Sequence, residues 1–148
     1  MPSVLLLSAG FLLAVLWMDL MFDVQVLRYP SAAQALPEEV LRSIAGYYRR
    51  VTTDARPMGH LVGAVMAALL AALAVQIAAG EPAALPSLPF CAGPILLAFA
   101  RVLPNAVRLG ARAGSASEQS ALARAICRDH LLCFAGIVGF AAIRLLAT

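Results

Sequence analysis

The residues able to do chemistry are few, and they stand out against an apolar chain. Asp19 and Asp23 lie four apart, which puts two carboxylates on one face of a helix, where they could balance a charge or relay protons. Tyr47 and Tyr48 are adjacent phenols that could stack on or hydrogen-bond an organic ligand. Arg56, Arg101 and Arg128, with Asn105 beside them, are the types that fork onto phosphate or carboxylate. His60, Asp129 and His130, together with the two aspartates, are types that would suit zinc or iron. No HxxxH or ExxH spacing demands a metal, and the three cysteines Cys91, Cys127 and Cys133 form no CxxC pair. The spacings name no cofactor and no catalytic residue.

These groups have to be positioned by a chain that is 62% hydrophobic and only 13% charged over 148 residues. A soluble domain carries roughly 45–50% apolar and about 25% charged residues, so too little polar sequence remains for a water-facing surface. The composition implies one polytopic membrane domain, in contact with the lipid bilayer. A phosphate-binding glycine loop, a GxSxG elbow and a dinucleotide fingerprint are all missing, and no surface for nucleic acid is indicated. The net charge of +3 comes from arginine alone, since the chain has no lysine.

Four apolar stretches are each about long enough to cross a hydrocarbon core, which takes roughly 20 residues. They predict spans at about 3–27, 57–79, 88–109 and 122–147. A secretory-signal reading of the first stretch is disfavoured, because no positive residue precedes it and Ala33-Gln34-Ala35 lies too far beyond it. Between the first two spans, about 37–53, the apolar residues Val40, Leu41, Ile44, Tyr47, Tyr48 and Val51 fall on one side of a helix. Such a helix is too short to span and should lie in the headgroup layer or cover the end of the bundle. Ser115 and Glu118 form a capping-box pair opening the last helix. Gly59, Gly63, Ala67 and Ala71 recur every four residues, a pattern that lets membrane helices approach closely and marks this span as the bundle's centre or an oligomer interface.

The expected fold is therefore an all-α membrane protein, a four-span bundle with one interfacial amphipathic helix after the first span. Arginines crowd the segments between spans one and two and between spans three and four, and none lies between spans two and three. The positive-inside rule then sets both basic segments in the cytoplasm of an inner-membrane protein, with both termini outside. In that topology the ionisable residues gather near the inner leaflet, where charges are costly and usually face the bundle interior. The leading expectation is a cytoplasm-facing polar pocket for a small anionic molecule or lipid headgroup, serving transport or sensing. Asp19, Asp23, Tyr47, Tyr48, Arg56, Arg101, Asn105 and Arg128 would line it. One alternative is a membrane enzyme with a His/Asp metal or acid–base site at His60, His130 and Asp129. The other is a structural subunit whose charges only neutralise one another, Asp19 or Asp23 with Arg101 and Asp129 with Arg56 or Arg128. A homo-oligomer or membrane-complex subunit is expected, because four spans make a thin wall around any pathway.

Overall fold

The structure, a computed structural model, describes residues 2–31 and 33–147, with the side chains of Pro2 and Arg56 outside the description. All regular structure among the described residues is helical. Helix α1 (Pro2–Asp23) runs on through a 3-10 turn (Val24–Arg28), and α2 (Glu38–Arg49) continues into a π-helical turn (Arg50–Asp54). Helix α3 (Arg56–Ala78) precedes a near-continuous segment of α4 (Ala84–Leu97), a second π turn (Ala98–Val102) and α5 (Leu103–Gly110). Helix α6 (Ala116–Leu146) closes the chain. Four stretches, Ser3–Arg28, Pro57–Ala78, Ala84–Gly110 and Ala116–Leu146, are long and apolar enough to cross a membrane. The helix of the third stretch begins at Ala84, a turn before Leu88, and that of the fourth at Ala116, after the expected capping box. Ser115 accepts from the Glu118 amide while the Glu118 carboxylate takes the Ser115 N–H at 2.7 Å.

Helix α6 is the hub. It packs along α1 and α4 and also touches α2 and α5, whereas α3 lies to the side, against α1 and α4. This corrects the expectation that the second span forms the bundle's centre. Its small residues Gly59, Ala67 and Ala71 are exposed, and a Cβ built on Gly59 or Gly63 would meet nothing within 4 Å. Close approach is made instead by glycines of other helices. A Cβ on Gly110 of α5 would lie 2.7 Å from the Arg49 backbone nitrogen of α2, and one on Gly136 of α6 would lie 2.5 Å from Pro94 Cγ of α4.

Helix α2 covers one end of the bundle, as its one-sided pattern suggested. It buries Leu41, Ile44, Ala45 and Tyr48 against Val102, Ala106 and Leu109 of the third span and Ala123, Ile126 and Cys127 of α6. A second apolar core holds the other end, from Leu5, Ala9 and Leu12 of α1, Leu69 and Leu73 of α3, Ile95 of α4, and Ile137 and Phe140 of α6. Cys91, Cys127 and Cys133 are buried and free.

Both π turns have local causes. Pro104 has no N–H to continue the α ladder, and the Leu103 amide reaches back five residues to the Ala98 carbonyl. After α2, the Ala55 amide reaches five residues back to Arg50, and the Thr52 hydroxyl donates to the Tyr48 carbonyl at 2.7 Å. Wide turns of this kind are frequent at functional sites.

Candidate functional site

Where the two cores meet, five side chains form one chain of contacts, Tyr47–Asp19–His130–Asp23–Tyr48. Each aspartate takes a phenol with Oδ1 and turns Oδ2 toward one nitrogen of the imidazole. Tyr47 donates to Asp19 Oδ1 and Tyr48 to Asp23 Oδ1, both at 2.6 Å. His130 Nδ1 lies 2.6 Å from Asp23 Oδ2, and its Nε2 lies 3.7 Å from Asp19 Oδ2. The Tyr48 hydroxyl also comes within 3.3 Å of Nδ1.

Helical spacing produces this arrangement directly. Asp19 and Asp23 are one turn apart on α1, so a single residue of α6 can address both. Tyr47 and Tyr48 sit at the C-terminal end of α2's buried stripe. Phe22 stacks on the Tyr47 ring at 4.1 Å and fixes that phenol over α1. Burial, reinforced by the neighbouring carboxylates, holds both phenols well above the usual tyrosine range, so they are hydrogen-bond donors at any physiological pH.

The two halves of the chain are unequal. Asp23 is fully buried, with both oxygens committed to short contacts. Asp19 keeps 13% of its side-chain surface, and its Oδ2 stands off the imidazole beyond hydrogen-bond range. A cavity of about 410 Å³ opens on that looser side. Its wall includes Asp19, His130, Tyr47, Tyr48 and Thr52 but not Asp23; the remainder is apolar, from Leu12 and Met18 of α1, Val62 and Met66 of α3, and Phe99 and Leu103 of the third span. Gly59 and Gly63 face it, which explains why they touch nothing. Both π turns contribute wall residues, Val51 and Thr52 from one, Ala98, Phe99 and Val102 from the other.

The structure brings Asp19, Asp23, Tyr47, Tyr48 and His130 together and leaves Arg101 and Arg128 out of the cavity wall. Arg101 and Arg128 instead flank Asp129, which is 1% exposed. Arg101 Nε is 3.1 Å from Asp129 Oδ2, and Arg128 Nε donates to Oδ1 at 3.2 Å. The neutralising pairing expected of Asp129 with Arg128 is thus present, and Asp19 and Asp23 take His130 and the phenols as partners, not Arg101. Asn105 is half-buried on α5 outside the cavity wall, and the Arg56 side chain lies outside the described residues. His60 is exposed at the start of α3. Among the described residues, no group of three or more His, Cys, Asp and Glu side chains is placed to hold a metal ion.

Sequence reasoning grouped His130 with His60, Asp129 and the two aspartates as a metal or acid–base set, and did not expect the two phenols to join it. The available signal was the coincidence of three facts: two carboxylates one turn apart, two phenols on a buried stripe, and one histidine on the longest helix. Thr52 carried no signal, because its place depends on the π turn. Comparison with protein-family models, with curated proteins and with solved structures finds no match in any of the three.

Proposed function

We propose that this membrane protein takes a largely apolar small molecule with one polar, proton-exchanging end into the cavity, and exchanges a proton with that end through His130. The observation that carries the reading is the asymmetry around the imidazole. Nδ1 is fixed at 2.6 Å by a buried carboxylate that is itself held by a phenol, while Nε2 faces Asp19 across 3.7 Å at the cavity wall. A base oriented by a second group, with its other nitrogen open to a pocket, is the arrangement used for general acid–base work. Asp23 sets the ring's orientation, Asp19 takes or returns the proton on the ligand side, and Tyr47 holds Asp19 in place.

The lining favours a lipophilic guest over a small free anion. Asp19 and His130 stand in the wall beside the two phenols and the Cys133 thiol, and a carboxylate there repels an anionic ligand. Pockets of roughly 300–1,000 Å³ lined by apolar side chains, with a few convergent polar groups, suit a compact organic molecule. Such a molecule concentrates in the bilayer and can reach the cavity from it. Residence in the inner membrane, with the α2 end toward the cytoplasm, is the setting we propose from the arginine distribution.

The test uses 2-naphthol, an apolar ring system with one hydroxyl whose fluorescence separates the neutral and ionised forms. Titrated into purified protein in dodecyl maltoside, it should bind saturably and show a naphtholate component. His130→Gln should remove that component while leaving binding, and Gly63→Leu, which fills open space in the wall, should abolish binding. Absence of saturable binding, or binding indifferent to both substitutions, would sink the reading.

A further inference from the structure

We propose that Arg101 and Arg128 form a phosphate clamp at one membrane face, built on the buried carboxylate of Asp129 and independent of the cavity. Asp129 is 1% exposed and offers its two oxygens to two different helices: Oδ2 to Arg101 of the second π turn, Oδ1 to Arg128 of α6. Both arginines approach through Nε: Arg128 hydrogen-bonds Oδ1 at 3.2 Å, whereas Arg101 stands in ion-pair range of Oδ2 at 3.1 Å and leaves that oxygen without a hydrogen bond; their side chains are 60% and 49% exposed. An arginine engaged through Nε leaves its two terminal Nη groups for a ligand, and that edge can fork onto phosphate oxygens. One carboxylate also neutralises only one of two guanidiniums, so the pair keeps a net positive charge.

Other arginines of the chain show what a committed guanidinium looks like. Arg124, one turn before Arg128, gives Nη2 to the carbonyls of Tyr29, Ser31 and Gln34. Arg112 gives Nη2 to both oxygens of Glu38. Arg144 gives Nη2 to Gln76. Arg101 and Arg128 keep Nε at Asp129, and among the described residues no protein group hydrogen-bonds their Nη ends.

Their height in the membrane fits a phosphate layer. At about 1.5 Å per residue, Arg101 lies roughly 26 Å along the helix from Ala84, and Arg128 roughly 27 Å from Leu146. Both distances approach the ~30 Å hydrocarbon thickness. Two spans entering from the opposite face therefore deliver these guanidiniums to the level where one leaflet's phosphates begin. The ligand chemistry is a phosphate monoester, carried by a lipid headgroup or free.

The experiment is native mass spectrometry of the full chain in dodecyl maltoside with phosphatidic acid or, as the uncharged counterpart, diacylglycerol. Wild type should retain one phosphatidic acid in preference to diacylglycerol. The Arg101→Gln/Arg128→Gln variant should lose this preference by about tenfold or more, the scale of a few hydrogen bonds to a charged group. Since that variant strands Asp129, Arg101→Lys/Arg128→Lys supplies the decisive arm: it keeps the charge and the ion pairs, but a lysine cannot both anchor and fork, so retention should fall several-fold. Competition by millimolar inorganic phosphate would show that free phosphate occupies the clamp, and failure to compete would assign it to lipid. Equal retention of the two lipids by wild type, or a lysine variant as good as wild type, would overturn the proposal.

Discussion

The two ends of the bundle bury polar groups in opposite ways. At the end away from α2, Arg144 donates to Gln76 across α6 and α3, and among the described residues no further side chain joins that pair beside the core of Leu5, Leu69, Leu73 and Phe140. At the α2 end, three helices contribute Asp19, Asp23, Tyr47, Tyr48 and His130 to one connected set, and most of its hydrogen-bonding capacity is used. An isolated pair can fasten two helices. A connected set with one loose joint, the 3.7 Å step from His130 to Asp19, can also move a proton. The contrast teaches that burial of charge alone does not mark the site; connectivity and a side open to a cavity do.

That contrast breaks most visibly at Asp23. Asp23→Ala leaves the Tyr48 hydroxyl and His130 Nδ1 buried without their acceptor, and removing one partner of a buried pair costs about 3–5 kcal/mol. Asp19→Ala should cost far less, roughly 1–2 kcal/mol, since Asp19 is partly open and one short bond is lost. Unfolding in dodecyl sulfate titrations should rank them in that order. Equal losses would mean that the joint at Asp19 is as tight as the one at Asp23.

Packing gives the next largest effect. Gly110→Ala drives a Cβ into the backbone of Tyr48 and Arg49, atoms that cannot rotate away, so α2 must lift from α5. The cost should approach the ~3 kcal/mol upper end of overpacking, and the displaced phenols should weaken naphthol binding as well. Gly59→Ala meets open space and gains helix propensity of up to about 1 kcal/mol, so it should be neutral or stabilising. At the other end of the bundle, Arg144→Leu should cost about 1–3 kcal/mol by orphaning Gln76, and Gln76→Leu added to it should restore most of that. A double variant no better than the single would show that Arg144 has a role beyond its partner.

How much of this could be read from residues alone divides along the same line. Four spans, the covering helix and the capped start of α6 follow from hydropathy, one-sided periodicity and the Ser115–Glu118 pair, all of which act within a few residues. The pairings do not, because they depend on how each helix is rotated. An α-helix turns about 100° per residue, so a π turn at Ala98–Val102 shifts everything before it against everything after it. The spacing of Arg101, Asn105, Arg108 and Arg112 would put all four on one face of an unbroken helix, but the π turn interrupts it, and Arg112 lies past the end of α5 with a φ of 53°. Hence Arg101 meets Asp129, and the aspartates of α1 are left to the histidine. The small-residue row of α3 misled for a related reason, since alanine and glycine permit both close packing and open space.

The smallest effect lies on the covering helix itself. Arg112 donates to both Glu38 oxygens, at 2.6 and 2.8 Å, tying the start of α2 to the turn after α5. That guanidinium holds the Glu38 carboxyl below its usual range. A depressed carboxyl contributes its stability above the unfolded value, near 4.5, and loses it as pH falls through the folded value. Acidification below about 4.5 should therefore loosen the start of α2 while the buried Tyr48 end stays docked. Hydrogen exchange of the Leu41 and Arg42 amides, taken relative to the intrinsic rate at each pH, should quicken over that window in wild type. In Glu38→Gln it should be faster at neutral pH and lose the acid step. A wild-type profile with no acid step would show that α2 is held by its apolar stripe alone, and that the two ends of this short helix differ less than the Glu38–Arg112 contact implies.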